Sequence, residues 1–172
     1  PVVVHLFYSA AFADAVGILR WFCLGMMMRI IAWPMGFIVL AKNEQRIFFW
    51  TELAAASVQV ALAWILVPRM GPAGAGAAFF GLYVWHTAVI GYLVYRITGF
   101  RWSKVNVRLI VLYTVATAVA CAGFAWLGEW TALGLGLAIT AASSLHSLHA
   151  LLTLVPAEHF PRPLRRFLPK SV

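Results

Sequence analysis

Apolar residues run in five long blocks along this chain, near residues 13–41, 47–67, 73–98, 105–127 and 131–155. Each block meets the length that a helix needs to cross a hydrocarbon layer, about 20 residues at 1.5 Å of rise. Pro34 interrupts the first block while the sequence on both sides stays apolar, which predicts a kink within one helix rather than two helices. Residues 1–8 are apolar too, so residues 1–12 read as the end of a truncated transmembrane helix and the turn after it. The expected fold is all-α, a polytopic transmembrane helix bundle.

Short polar connections at 9–12, 42–46, 68–72, 99–104 and 128–130 separate the blocks, and their charges alternate. Lys42 and Arg46 lie in one, Arg96, Arg101, Lys104 and Arg108 lie around another, and Arg162, Arg165, Arg166 and Lys170 lie in the tail. These are ten of the 13 basic residues, all on connections that fall on one side; only Arg20 and Arg69 lie near the other, and Arg29 is inside a block. The positive-inside bias places the ten, and the C-terminus with them, in the cytoplasm. The tail, residues 156–172, carries four of the eight prolines and is expected to be an irregular basic segment on anionic lipid.

Composition narrows the class further. The chain is 63% hydrophobic and 10% charged, with mean hydropathy +0.89, which excludes an ordinary water-soluble domain. A net charge of +8 raises the question of nucleic acid, but no basic stripe with stacking aromatics lies on a soluble element, so the charge is assigned to topology. No secretory signal pattern opens the chain, and from its apolar start it is expected to be a C-terminal piece of a longer protein. Cys23 and Cys121 each sit in an apolar block and read as small buried hydrophobes rather than a disulfide. Trp50, Trp102, Trp126 and Trp130 fall near block ends, where indole rings favour the headgroup level. Gly74, Gly76, Ala77 and Ala78, and the four-residue repeat Gly134, Ala138, Ala142, mark faces where helix backbones can approach closely.

Charged and polar residues inside the blocks are the candidate chemistry. Arg29 lies 12 residues from the cytoplasmic end of its block, ~18 Å deep, where a charge must face protein, water or an anionic ligand. Gly25, Arg29, Trp33 and Gly36 share a helical stripe that could admit a pyrophosphate or sugar, the guanidinium gripping phosphate oxygens and the indole stacking on a sugar ring. Backbone carbonyls or a neighbouring helix could equally satisfy the arginine. Glu52 enters the next block by only ~8 Å. Side chains lean toward helix N-termini, so on antiparallel helices Arg29 and Glu52 lean apart, which argues against a direct pair. Glu52 shares a stripe with Ala56, Gln59 and Ala63, and is open to a contact with Lys42 or Arg46, or to a cation. His86, beside Tyr83 and Thr87, fits an interhelical hydrogen bond or a proton relay. His146 and His149 are too few ligands for a metal site.

A resemblance is carried by Leu19-Arg20-Trp21, Gly25 followed by Arg29, Trp33-Pro34 with Gly36, Ala41-Lys42, Glu52, and the Pro68-x-x-Gly71-x-x-Gly74 connection. In this order and spacing, residues 1–103 resemble the C-terminal half of O-antigen and polysaccharide flippases of the multidrug/oligosaccharidyl-lipid/polysaccharide exporter superfamily. Residues 13–103 are similar to three helices of the family's second lobe, while 104–155 add two further helices matched only in hydropathy. Met26 stands where the family carries an acidic residue just after the glycine, so no ion-coupling role passes to that position. The resemblance implies alternating-access transfer of an undecaprenyl-pyrophosphate-linked oligosaccharide across a bacterial inner membrane, together with an N-terminal lobe and without a cofactor. It makes Arg29, Trp33 and Arg20 the candidate substrate contacts, and Glu52, Gln59 and His86 the candidate ion-coupling or bundle-polar residues.

Two other classes stay open. A membrane glycan-modifying transferase would need carboxylates or a histidine constellation in a roomy loop, and the chain has five acids and internal connections of about six residues at most. A non-transporting assembly subunit of a polysaccharide export system is the other. The charge map itself is testable: single cysteines at Asn43, Ser103 and Ser171 in a cysteine-free full-length protein should resist an impermeant thiol reagent added outside spheroplasts. Labelling of all three from outside would invert the topology.

Overall fold

A computed structural model of the chain describes residues 15–154. Five helices follow one another: α1 (Ala15–Ala41), α2 (Gln45–Met70), α3 (Ala73–Thr98), α4 (Lys104–Trp126) and α5 (Glu129–Leu154). Among the described residues the fold is all-helical, and all five helices are long and apolar enough to cross a membrane. The chain is a multi-pass membrane protein. The segment 1–12 and the basic tail 156–172 lie outside the described residues.

Helix α1 runs unbroken through Pro34, as a membrane helix can when neighbours accommodate the lost backbone donor. Pro68, expected in a connection, is inside the last turn of α2. Only Gly71 and Pro72 are left to link α2 to α3, and Gly71 turns the chain at φ 62°. After α1 the chain reverses through Asn43, at φ 59°, with the Glu44 N–H donating to the Val39 carbonyl at 3.2 Å. That bond closes the helix end, and asparagine takes the left-handed position that glycine usually fills. Gly99, at φ 69°, ends α3 and donates to the Tyr95 carbonyl at 2.8 Å.

The chain forms two compact units, Pro1–Cys121 and Ala122–Val172. In the first, α3 is the central element: it packs along α1 and along α2, while α1 and α2 scarcely touch one another. Lipid is as apolar as a leucine side chain, so tight helix contact in a membrane relies on van der Waals fit rather than on hydrophobic burial. The small residues at the start of α3 provide that fit. Gly74, Gly76, Ala77 and Ala78 are all buried, as their spacing led one to expect. A Cβ at Gly76 would stand 2.8 Å from the Ile18 carbonyl oxygen of α1, and one at Gly74 would strike the Leu66 carbonyl of α2. On α1, Gly25 makes room in return for Phe79 and Phe80.

Further along, Ile31, Ala32, Met35 and Val39 of α1 meet Ile90 and Val94 of α3 in an apolar core, with Phe100, Trp102 and Ile110 packed against it. Thr87 ties the pair together: its hydroxyl donates toward the Met28 carbonyl at 3.1 Å and the Tyr83 carbonyl at 2.6 Å. These contacts pair the helices in the order of the chain, so α1 and α3 are parallel. The connections that follow them, with Lys42 and with Arg101, therefore share one end of the bundle.

Two expectations are corrected. Cys23 is exposed, and only Cys121 is partly buried; its thiol donates to the Arg20 carbonyl at 3.8 Å. Gly134, Ala138 and Ala142 are exposed along α5, and no described atom lies within 4 Å of a Cβ placed on Gly134. In that second unit the close contact is instead at Gly123, whose Cβ position is 3.1 Å from Leu135. Trp102, between the ends of α3 and α4, packs against the core, while Trp50, Trp126 and Trp130 are strongly exposed near helix ends.

The glycine contact predicts an asymmetry. Gly76→Ala should destabilise the protein by about 1–3 kcal/mol, as overpacking against backbone does, whereas Gly134→Ala should fall within about 0.5 kcal/mol of wild type. Thermal unfolding in detergent, followed by tryptophan fluorescence, measures both.

Candidate functional site

Because α1 and α2 each lean on α3 but barely on each other, a gap is left between them. It holds a cavity of about 410 Å³. That is within the range of small-molecule sites. Helix α1 contributes Arg29, Ala32, Trp33, Gly36, Phe37 and Leu40; α2 contributes Phe48, Glu52, Ala55, Ala56 and Gln59; Leu82, Tyr83 and His86 of α3 form the floor.

The helical periods of three separate segments thus converge. Arg29, Trp33 and Gly36 are successive turns of one stripe, and Glu52, Ala56 and Gln59 of another. Five of the six candidate residues, Arg29, Trp33, Glu52, Gln59 and His86, line the same space. Arg20 does not: it lies nine residues from Arg29, ~13 Å along α1 toward the opposite end of the helix. Gly25, expected on the Arg29 stripe, is buried against α3 and takes no part in the cavity.

The guanidinium of Arg29 lies 5.6 Å from the centre of the Tyr83 ring and 5.9 Å from that of Trp33. Both distances are in the range where a cation is drawn to a ring face. Among the described residues no acid comes within ion-pair distance of it. Glu52 meets His86 instead, Oε1 to Nε2 at 3.9 Å. That is an electrostatic contact, longer than a hydrogen bond. The opposed lean of the side chains on α1 and α2 is consistent with this choice, and Lys42 and Arg46 form no ion pair with Glu52 among the described residues.

The two partners differ in setting: the Glu52 side chain is 54% exposed and that of His86 11%. Two buried polar atoms, Nδ1 of His86 and Oε1 of Gln59, have no hydrogen-bond partner among the described residues. An unsatisfied buried polar atom costs about 1–3 kcal/mol. Both atoms belong to residues that border the cavity.

Polarity along the cavity runs opposite to that of a bilayer. Leu40 and Phe48 stand next to the helix ends and Phe37 one turn in, whereas Arg29 is 11 residues from Leu40, ~16 Å deeper. The apolar side chains thus stand nearer the helix ends and the charged ones farther along the helices. Tyr83 was not singled out from the sequence as a partner of Arg29, although its place three residues before His86 puts both on one face of α3.

No family model, curated protein or solved structure matches this chain. What the cavity does must therefore be argued from its own residues.

With Glu52 half-exposed and 3.9 Å from His86, the pair should contribute little to holding the helices together. A double-mutant cycle of Glu52→Gln and His86→Gln, read by thermal unfolding, should give a coupling below about 1 kcal/mol. A coupling of several kcal/mol would make the pair a structural clamp.

Proposed function

We propose that this protein is a bacterial inner-membrane flippase that moves undecaprenyl-pyrophosphate-linked O-antigen or polysaccharide repeat units by alternating access. The observation that carries the reading is Arg29: a fixed cation ~18 Å from the helix end, lining a cavity, set against two aromatic rings and without an acid partner among the described residues. A permanent charge at that depth is costly unless it is matched. A pyrophosphate supplies the matching charge, and the planar guanidinium can grip two of its oxygens at once.

The neighbouring groups suit the rest of such a ligand. Trp33 presents an exposed indole face for a sugar ring, and Gln59, His86 and Glu52 are hydrogen-bonding groups for hydroxyls. Phe37, Leu40 and Phe48 offer apolar contact to a polyprenyl chain. The resemblance noted in residues 1–103 supports the same reading, in which these helices belong to the second lobe of an exporter fold, an N-terminal lobe completes the transport path, and the C-terminus is cytoplasmic. The reaction needs no bond made or broken, so no catalytic residue is assigned.

Deletion of the gene tests this. The lipid-linked oligosaccharide should accumulate fully built on the cytoplasmic leaflet, where an external lectin cannot reach it; a truncated or unmodified glycan would mean an enzyme instead. Complementation at matched protein abundance should fail with Arg29→Ala, and Arg29→Lys should lose much of the surface glycan because an ammonium lacks the planar fork. Wild-type surface glycan with Arg29→Ala removes Arg29 from the substrate path.

A further inference from the structure

The cavity carries a chemical bias that the flippase reading alone does not require. Its one permanent cation, Arg29, lies on α1 with its charge over the Tyr83 and Trp33 rings. The opposite wall is different in kind. Glu52 is the only acid lining the cavity, and a carboxylate only accepts hydrogen bonds. His86 turns Nε2 toward it at 3.9 Å, so the imidazole borders the same wall as the carboxylate. Gln59 adds Oε1, and both this atom and Nδ1 of His86 are buried without a partner among the described residues. One side therefore attracts an anion, and the other holds a carboxylate flanked by the hydrogen-bonding side chains of His86 and Gln59.

We propose that Glu52, with His86 and Gln59, selects the sugar next to the pyrophosphate: a residue rich in free hydroxyls is accepted and one bearing a carboxylate is rejected. This rests on the flippase reading, since it supposes that the phosphates lie at Arg29. A hydroxyl-rich sugar donates to the Glu52 carboxylate and meets the hydrogen-bonding side chains of His86 and Gln59. A uronic acid in the same place brings a second negative charge against Glu52. Glu52 is half-exposed, so this repulsion is modest, but the site still discriminates by penalising the wrong ligand as well as by fitting the right one.

The experiment uses the full-length protein in nanodiscs and two fluorescent polyprenyl-pyrophosphate lipids that differ at one carbon, one carrying glucose and the other glucuronic acid. Wild type should bind the glucose lipid about tenfold or more tightly than the glucuronate lipid, a gap of the size that like-charge exclusion in a binding site produces. Within Glu52→Gln the ratio should shrink to about twofold, whatever happens to the absolute affinities, because the carboxylate that carries the repulsion is gone. Glu52→Asp keeps the charge and should keep the gap. Equal affinities in wild type, or a gap unchanged in Glu52→Gln, overturn the selectivity and leave the flippase reading standing. Failure of wild type to bind either lipid overturns both.

Discussion

The close approach of α3 to its two neighbours is the contact on which the rest of the first unit depends. In a bilayer no gain comes from hiding leucine from lipid, so helices stay together only where their surfaces fit closely. Gly74 and Gly76 bring α3 within backbone distance of α2 on one side and α1 on the other, and Gly25 returns the favour to Phe79. A side chain at any of the three would push one helix outward. The seam also aligns the rest: with the Ile18 turn held at Gly76, Met28 comes level with Thr87, and Met35 with Gly91.

The cavity follows from the same arrangement. A central helix with a close neighbour on each flank leaves its flanking helices diverging, and the space between them is bounded by whatever each presents. Here that is Arg29 and Trp33 facing Glu52 and Gln59 over a floor of Tyr83 and His86. The polar residues are not what assembles the helices; most of the bundle's contact is made by glycine, alanine and aliphatic side chains elsewhere. Arg29 is set against the Tyr83 and Trp33 rings and Glu52 near His86, and neither forms a further ion pair among the described residues.

The five helices were legible in the sequence because apolar length is a strong signal, and their bounds agree to within about three residues with the blocks at 13–41, 47–67, 73–98, 105–127 and 131–155. The stripes on α1 and α2 were legible as well, through the 3.6-residue period. What the period cannot say is which helix lies between which. That α3 is central, and parallel to α1, is a tertiary fact, and it is why Glu52 meets His86 and why Tyr83 comes beneath Arg29. Small residues gave a mixed signal for the same reason: Gly76 and Gly134 look alike in sequence, yet one is pressed against a backbone and the other has open space. Pro68 misled because a proline near a helix end forfeits little hydrogen bonding and need not terminate the helix.

The reversed polarity of the cavity, with Phe37, Leu40 and Phe48 between the helix ends and the charged interior, has an electrical consequence. Water wets a charged groove readily and bridges it with continuous hydrogen-bonded chains along which protons hop, but it breaks up against a collar of aromatic and aliphatic side chains. A polar chamber deep in a membrane protein would, if wetted from its rim, shorten the insulating path across the bilayer and drain the ion gradient that the cell maintains. Phe37, Leu40 and Phe48 on the helix-end side of the cavity oppose that wetting, so the order in which apolar and charged residues follow one another along α1 and α2 works against such a leak.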